Sequence, residues 1–529
     1  MSDEVLQMLE DSDRSVFVTG KSGTGKSTCL RKFVETTKKK VIVCAPTGKA
    51  AINVGGQTVH SLFRIPGSHL DEDDILNAAK RQSDVVKRAD AIIIDEISMC
   101  RADLLQTVHN LMRLARHRPD LPFGGCQMIF FGDLLQLPPI VQNDESNYFY
   151  SKYKTPYFFS AECMQDGILD IVELMTVFRQ TETEFIEILN GIRNGQITDF
   201  GLQKLNSRVN PSFGQPDGFI TITPYNKRAT EINEQKLKQL PGKEVVYNAD
   251  VSGEFSASQE PADKILRLKE GAQVMFLKNA ARCNEEIVKN APPRWVNGSM
   301  GIVTRCEPNE VFVKMLDGPN EGKIFSVTKA EWSIVKHSMV DGEIRKNIAG
   351  SFSQIPLKLG YAGSIHKSQG ASLDRMILDL DRGAFDTGQT YVALSRCRSF
   401  GNLILKSPVT RKDIQVDQRI LDYIGFMRDC GLLREINNQA ASETEKPQDP
   451  LSLFREANAS NSPFSEAEDA QMRQLLCDPL LPPETLREAI SLVYDRISTA
   501  ALSKPVAGGK RKAKTKVEMT DTVDSAANP

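Results

Sequence analysis

The stretch Gly20-Lys21-Ser22-Gly23-Thr24-Gly25-Lys26-Ser27 fits the pattern G-x-x-x-x-G-K-[ST] and sits between an apolar run, Val16-Phe17-Val18-Thr19, and a helix-like segment beginning Thr28-Cys29-Leu30. Such a loop works only where a buried strand runs into a helix N-terminus, so that backbone N–H groups converge on phosphate oxygens. It therefore demands a parallel sheet flanked by helices. Further short apolar runs at Val41–Ala45, Ala91–Ile94 and Gln127–Phe131 read as strands of that sheet, buried on both faces. The same texture returns at Phe219–Thr223, Met376–Leu380 and Leu403–Leu405, which predicts a second parallel-sheet α/β domain. Between about 245 and 358 the runs are short, turn-separated and without helical period, as in Val274-Met275-Phe276-Leu277 and Val311-Phe312-Val313. That pattern predicts an antiparallel β module inserted into the second domain.

Within this frame the chemistry of a nucleotide site is legible. Lys26 is expected to reach the β and γ oxygens, and the Ser27 hydroxyl to ligate Mg²⁺. Ile92-Ile93-Ile94 ends in Asp95-Glu96. Alone, such an acid pair suits a helix start equally well; downstream of the phosphate loop, Asp95 is expected to hold the Mg²⁺ shell and Glu96 to accept a proton from attacking water. A base for water favours hydrolysis over phosphotransfer. A third strand ends Phe130-Phe131-Gly132-Asp133, followed by Leu134-Leu135-Gln136-Leu137-Pro138-Pro139. Gln136 is a candidate sensor of the γ-phosphate, although Leu-Pro-Pro by itself reads as a stiff turn.

Composition limits the partners. Lys plus Arg total 66 against 68 Asp plus Glu, a net charge of −2, so any nucleic-acid surface must be a local groove balanced by acid elsewhere. The ten cysteines are scattered, with no C-x-x-C pair to start a zinc site, and read as reduced core thiols. With no apolar run near the ~20 residues that span a bilayer, and no signal-peptide pattern after Met1-Ser2-Asp3-Glu4, no membrane partner and an intracellular location are expected: cytoplasm or nucleoid in a prokaryote or virus, nucleus or mitochondrion in a eukaryote.

Five segments occur in fixed order: Asp95-Glu96-Ile97-Ser98-Met99, Gly132-Asp133-x-x-Gln136-Leu137-Pro138-Pro139, Phe178-Arg179-Gln180, His366-Lys367-Ser368-Gln369-Gly370 and Tyr391-Val392-Ala393-Leu394-Ser395-Arg396. Together they resemble the motif series of superfamily 1 helicases, most closely the Pif1 family and its relative RecD, over roughly residues 16–405. The resemblance implies two RecA-like domains. The first would span 1–170 with a wedge insertion at about 64–90; the second would span 171–244 and 359–435, interrupted by an SH3-like insertion at 245–358 that contains Arg294-Trp295-Val296-Asn297-Gly298-Ser299-Met300-Gly301. Residues 436–529 form an extension expected to be partly disordered, with a basic cluster, Lys510-Arg511-Lys512-Ala513-Lys514, and a possible protein partner.

Carried over by position, the resemblance implies an ATP site of Gly20, Gly23, Thr24, Gly25, Lys26, Ser27, Asp95, Glu96 and Gln136, with Gln369 and Gly370 near the nucleotide. Arg179 and Arg396 would enter from the second domain as arginine fingers. Pro46, Thr47 and Lys49, with His60 and Phe63, would grip a single strand from the first domain, and His366, Lys367 and Ser368 from the second. One departure stands out: where many relatives carry an adenine-reading glutamine, the alignment puts Asp3, with Gln7 further along. The implied activity is ATP-dependent, 5′-to-3′ unwinding of forked or structured DNA. A nucleic-acid-stimulated ATPase that remodels protein–DNA complexes, or an RNA/DNA-hybrid helicase, needs the same motor. A switch GTPase is disfavoured, because Asn226-Lys227-Arg228-Ala229 lacks the aspartate of a guanine reader.

Overall fold

The computed structural model describes residues 3–65, 72–142, 145–164, 169–255, 259–280, 293–340 and 343–437. The basic cluster Lys510–Lys514 with the rest of the extension beyond residue 437, and residues 66–71 of the wedge segment, lie outside them.

The strand Ser15–Gly20 is fully buried and pairs in parallel with Gln127–Phe131 on one side and Leu169–Leu174 on the other. It lies inside a seven-stranded sheet, all of whose pairings are parallel. Aliphatic and aromatic side chains cover both faces. Phe17, Ile92, Met128 and Phe130 point into one core; Val16, Val18, Ile93 and Phe131 point into the other, with Leu30 and Phe33 of the helix Lys26–Thr36. The alternation of adjacent residues between two cores is what a strand buried on both faces requires.

A second parallel sheet runs in the order Ala362–Ser364, Ile220–Thr223, Met376–Leu378, Leu403–Leu405. Between Val245 and Leu359 every strand pairing among the described residues is antiparallel, with a five-stranded sheet around Val274, Phe276, Trp295, Val303 and Val313. A long hairpin, Ala330–Val340 with Glu343–Gln354, leaves this module. Its Met339 and Ile344 pack on the first domain's core, and Gln57 Nε2 donates to His337 Nδ1 at 3.2 Å.

One expectation changes. The chain does not remain in the second domain to residue 435. The helix Gln418–Asp429 buries Ile420 and Met427 in the first domain's core, and Leu433–Ile436 pairs in parallel with Ile171–Leu174 as the edge of the first sheet. The slot expected to hold a wedge contains the helices Glu72–Lys80 and Asp84–Arg88, whose Ala78, Ala79, Val85 and Val86 join the same core.

The cysteines at 29, 44, 100, 126, 163 and 397 are buried thiols, and burial pushes Cys29, Cys44, Cys100, Cys126 and Cys397 above the ordinary thiol range. No helix among the described residues is long and apolar enough to cross a membrane.

Gly301 shows how tightly the β module is packed: a Cβ there would lie 2.3 Å from Val313 Cγ1 and 3.0 Å from the Lys314 carbonyl. Gly301→Ala is expected to lower stability by about 1–3 kcal/mol through overpacking, read as a lower thermal midpoint.

Candidate active site

The phosphate loop needs backbone conformations that side chains resist. Gly20, Gly23 and Gly25 have φ of 145°, 86° and 86°, and Gly25 caps the helix Lys26–Thr36. Thr24 is buried and its hydroxyl donates to the Lys21 carbonyl at 2.9 Å. Lys26 Nζ donates to the carbonyls of Gly20 (2.6 Å) and Lys21 (3.0 Å), which aims its ammonium across the mouth of the loop. Burial holds that ammonium below its usual range. Ser27 is exposed in the first turn of the helix.

Asp95 and Glu96 follow the buried strand Ala91–Ile94, with Glu96 in the left-handed region at φ 52°. Burial raises both carboxyls, and for Asp95 the adjacent Glu96 charge raises it further. Glu96 Oε2 accepts from Gln369 Nε2 of the second domain at 3.3 Å. Gly370 follows with φ 81° and open space around it.

The second domain closes directly on the loop. The Phe178 N–H donates to the Gly23 carbonyl at 2.9 Å, and a Cβ on Gly23 would come within 2.6 Å of Arg179 Cβ. Arg179 Nη1 and Arg396 Nη2 both donate to the Ser22 hydroxyl oxygen, each at 2.7 Å. Arg396 is 1% exposed and is braced by the Val392 carbonyl and the Ser395 hydroxyl. Burial lowers the proton affinity of both guanidiniums, and for Arg179 the charge of Arg396 adds to it; at neutral pH they remain cations. Two cations on one hydroxyl at the rim of a phosphate loop form a site for a polyanion.

Gln136 is buried, and its Nε2 donates to Asp133 Oδ2 at 3.2 Å. The neighbouring Leu137 plugs into the second domain's core, and a Cβ on Gly388 would lie 2.3 Å from the Gln136 carbonyl. The loop that carries this candidate sensor is thus held by the opposite domain.

Among the residues expected to grip a strand, Thr47 caps the helix Gly48–Asn53, accepting from Ala50 N–H at 3.3 Å, with Pro46 beside it. Lys49 Nζ reaches across to the Lys367 carbonyl at 2.6 Å, bringing the two domains' loops together. His60 and His366 are half-buried, and burial holds both imidazoles below the ordinary range. Phe63 and Ser368 are corrections. Phe63 is 0% exposed in the first domain's core, where no base can stack on it, and Ser368 is 3% exposed with its hydroxyl donated to the Ser364 carbonyl. At the expected base reader, Asp3 pairs with Lys32 at 2.8 Å and Gln7 is exposed.

Two residues were missed by motif reading. Tyr391 OH accepts the Ser22 N–H at 2.8 Å; it lies in a quoted motif, but spacing alone assigns it no partner. Arg193 belongs to no motif. It ends the helix Thr183–Arg193 of the second domain, is 6% exposed, and bridges to Asp133 (3.0 Å) and Glu173 (3.8 Å) of the first. Burial alone would raise the Asp133 carboxyl, but Arg193 and Lys26 hold it below its usual range. Arg193 also lines a cavity of ≈ 580 Å³ with Lys21, Glu173, Met175, Ile414 and Val416. Arg193→Met leaves a buried carboxylate unpaired and is expected to cost about 3–5 kcal/mol in urea unfolding. Adding Asp133→Leu should recover part of that loss, because replacing both partners removes the orphaned charge.

The sequence family of PIF1-like helicases matches residues 2–201. The ATP-dependent DNA helicase Pif1 of Bdellovibrio bacteriovorus is 32% identical over 426 residues, 78% of this chain and 88% of that protein. The vertebrate relatives are longer: the chain spans 59% of the Xenopus laevis ATP-dependent DNA helicase PIF1, at 35% identity over 74% of this chain. Among solved structures, Bacteroides sp. Pif1 in complex with ADP-AlF4 superposes with a TM-score of 0.73 at 36% identity, covering 81% of this chain and 97% of that one. Its complex with ADP-AlF3 and single-stranded DNA superposes with a TM-score of 0.57 at 35% identity over the same shares. With most of the Bdellovibrio protein's length matched and the phosphate loop, acid pair and cross-domain arginines in place, the chain belongs to the PIF1-like helicase family.

Proposed function

We propose that the chain is an ATP-driven DNA helicase that moves 5′ to 3′ along a single strand and opens forked or structured duplexes. The observation that carries this reading is the meeting of Arg179 and Arg396 on the Ser22 hydroxyl. Both arginines come from one domain, the phosphate loop from the other, and hydrolysis thereby depends on cleft closure. Family membership and the DNA-helicase names of the relatives support the choice of DNA as track.

In the proposed cycle Lys26 neutralises the triphosphate, and the two guanidiniums stabilise charge that develops on the transferring phosphoryl group. Glu96, raised by burial, accepts the proton of the attacking water, with Gln369 fixing its carboxylate from across the cleft. Gln136, tied to Asp133 and through it to Arg193, relates the nucleotide's state to the second domain. Ser27 and Asp95 offer a hydroxyl and a carboxylate, hard oxygen donors suited to Mg²⁺; burial and then the adjacent Glu96 charge raise the Asp95 carboxyl, and a divalent cation there would favour its ionised form. A Mg²⁺ ion held by Ser27 and Asp95 would supply positive charge to offset that of the triphosphate.

Movement follows if the two grips respond to the cleft. Pro46, Thr47, Lys49 and His60 hold the strand from one side, His366 and Lys367 from the other. The Lys49 to Lys367 contact forms as the domains approach, so opening the cleft changes the spacing of the grips by moving one domain relative to the other.

Three outcomes are expected. Lys26→Ala abolishes ATP hydrolysis. Arg396→Ala keeps binding of a fluorescent ATP analogue but lowers kcat by about 10³-fold or more; normal turnover in this variant would remove the finger assignment. Single-stranded DNA raises the ATPase rate, and the protein unwinds a 5′-tailed DNA duplex in preference to a 3′-tailed one. ATPase stimulation without strand separation would instead indicate a remodelling motor, and preference for a hybrid duplex an RNA/DNA-hybrid helicase.

A further inference from the structure

The second domain presents an aromatic pair that belongs to neither its core nor the ATP site. Tyr225 follows the strand Ile220–Thr223, Phe385 lies in the loop after Met376–Leu378, and His366 follows Ala362–Ser364. These three strands are neighbours in one parallel sheet, so their C-terminal ends, where parallel sheets place ligands, open on the same edge. The Tyr225 and Phe385 rings lie 5.4 Å apart at 31°. Asn226, next to Tyr225, accepts from the Ser364 hydroxyl at 2.6 Å, and Asp386 is close enough to His366 for their charges to interact. The pair therefore adjoins the second-domain strand grip.

Phe385 is 54% exposed in an otherwise polar loop, Asp379-Leu380-Asp381-Arg382-Gly383-Ala384-Phe385-Asp386. Its backbone is pinned on both sides. Ala384 N–H donates to Asp413 Oδ1 (3.2 Å), Phe385 N–H to Gln389 Oε1 (3.2 Å), and the Ala384 carbonyl accepts from Gln415 Nε2 (2.9 Å). A ring held outward on a fixed backbone loses little entropy when something packs on it. The surroundings favour a polyanion carrying flat apolar groups: Lys367, Lys227 and Arg382 are exposed, and among the described residues none of them has an ion-pair partner. Asp379 pairs with Arg228 at 3.8 Å, leaving Asp381 and Asp386 as the opposing acids.

We infer that Tyr225 and Phe385 form a base-stacking subsite, in which one unpaired nucleobase of the bound strand lies on the exposed face of Phe385 while Tyr225 backs it. The inference rests on the single-strand reading above and adds a contact to the bases where that reading supplied contacts to phosphates. It also bears on coupling. The loop continues directly into Gly388, whose backbone abuts the Gln136 carbonyl, so the stacking residue and the γ-phosphate sensor share one short rigid link.

The test is fluorescence anisotropy of the full chain with labelled oligodeoxythymidine, and with the same backbone made abasic. A stacked base is worth ~1–3 kcal/mol, or roughly 5–150-fold. Phe385→Ala and Phe385→Leu are expected to weaken oligodeoxythymidine binding about tenfold, and Phe385→Trp to retain it. The variants should bind the abasic strand as the wild type does. Phe200→Ala, which removes a 68% exposed ring of the same domain, serves as control and should leave binding unchanged. Wild-type affinity in Phe385→Leu, or an equal loss for the abasic strand, would overturn the stacking subsite while leaving the helicase reading intact. Failure of the wild type to bind either oligonucleotide would overturn both.

Discussion

Everything that moves in this protein depends on a charge arrangement that neither domain can complete alone. The phosphate loop aims one of its two lysines, Lys26, across its mouth; the positive charge of Arg179 and Arg396 arrives from the opposite side and converges on Ser22. Two buried guanidiniums repel each other at that distance and gain most when an anion lies between them and Lys26. In the proposed cycle triphosphate is therefore the counter-charge of the interface as well as the substrate, and its cleavage with phosphate loss would remove the strongest reason for the lobes to stay together. Tyr391 and Phe178 add hydrogen bonds to the same loop, so closure is specified in geometry as well as in charge.

A second layer of contacts links nucleotide and strand. Gln136 reaches the second domain through Asp133 to Arg193, through Leu137 in the core and through the backbone against Gly388. The segment His366–Gly370 has its basic end toward Lys49 and its amide end on Glu96. Under the proposed function, a displacement of either lobe would be felt at both ligands through these short connections.

What the sequence disclosed depended on how local the signal was. Ser15–Gly20, Ala91–Ile94 and Gln127–Phe131 are buried on both faces and therefore read as continuous apolar runs. Leu169–Leu174 and Leu433–Ile436 carry Asp170, Glu173, Arg434 and Glu435 near or at the sheet edge, where charge is tolerated and the apolar pattern breaks. Motif context placed segments correctly at the cleft but could not say which way each side chain turns. Phe63 faces the core of a helix only one turn long, and Ser368 turns back to its own strand. Arg193 and Phe385 were invisible because their partners are distant in sequence: the ion pair and the ring contact exist only once helix and loop are folded against another element.

The return of the chain to the first sheet has a mechanical corollary. Because Leu433–Ile436 lies beside Leu169–Leu174, the second lobe is a loop-out from the first, attached by an outgoing crossing near Met175 and an incoming one near Val416. Both crossings border the same cavity, with Arg193 between them. A panel hung on two neighbouring pivots swings about one axis and resists twisting or sliding. The space beside the two crossings is lined by Arg193, whose ion pairs to Asp133 and Glu173 tie the lobes together next to both attachments.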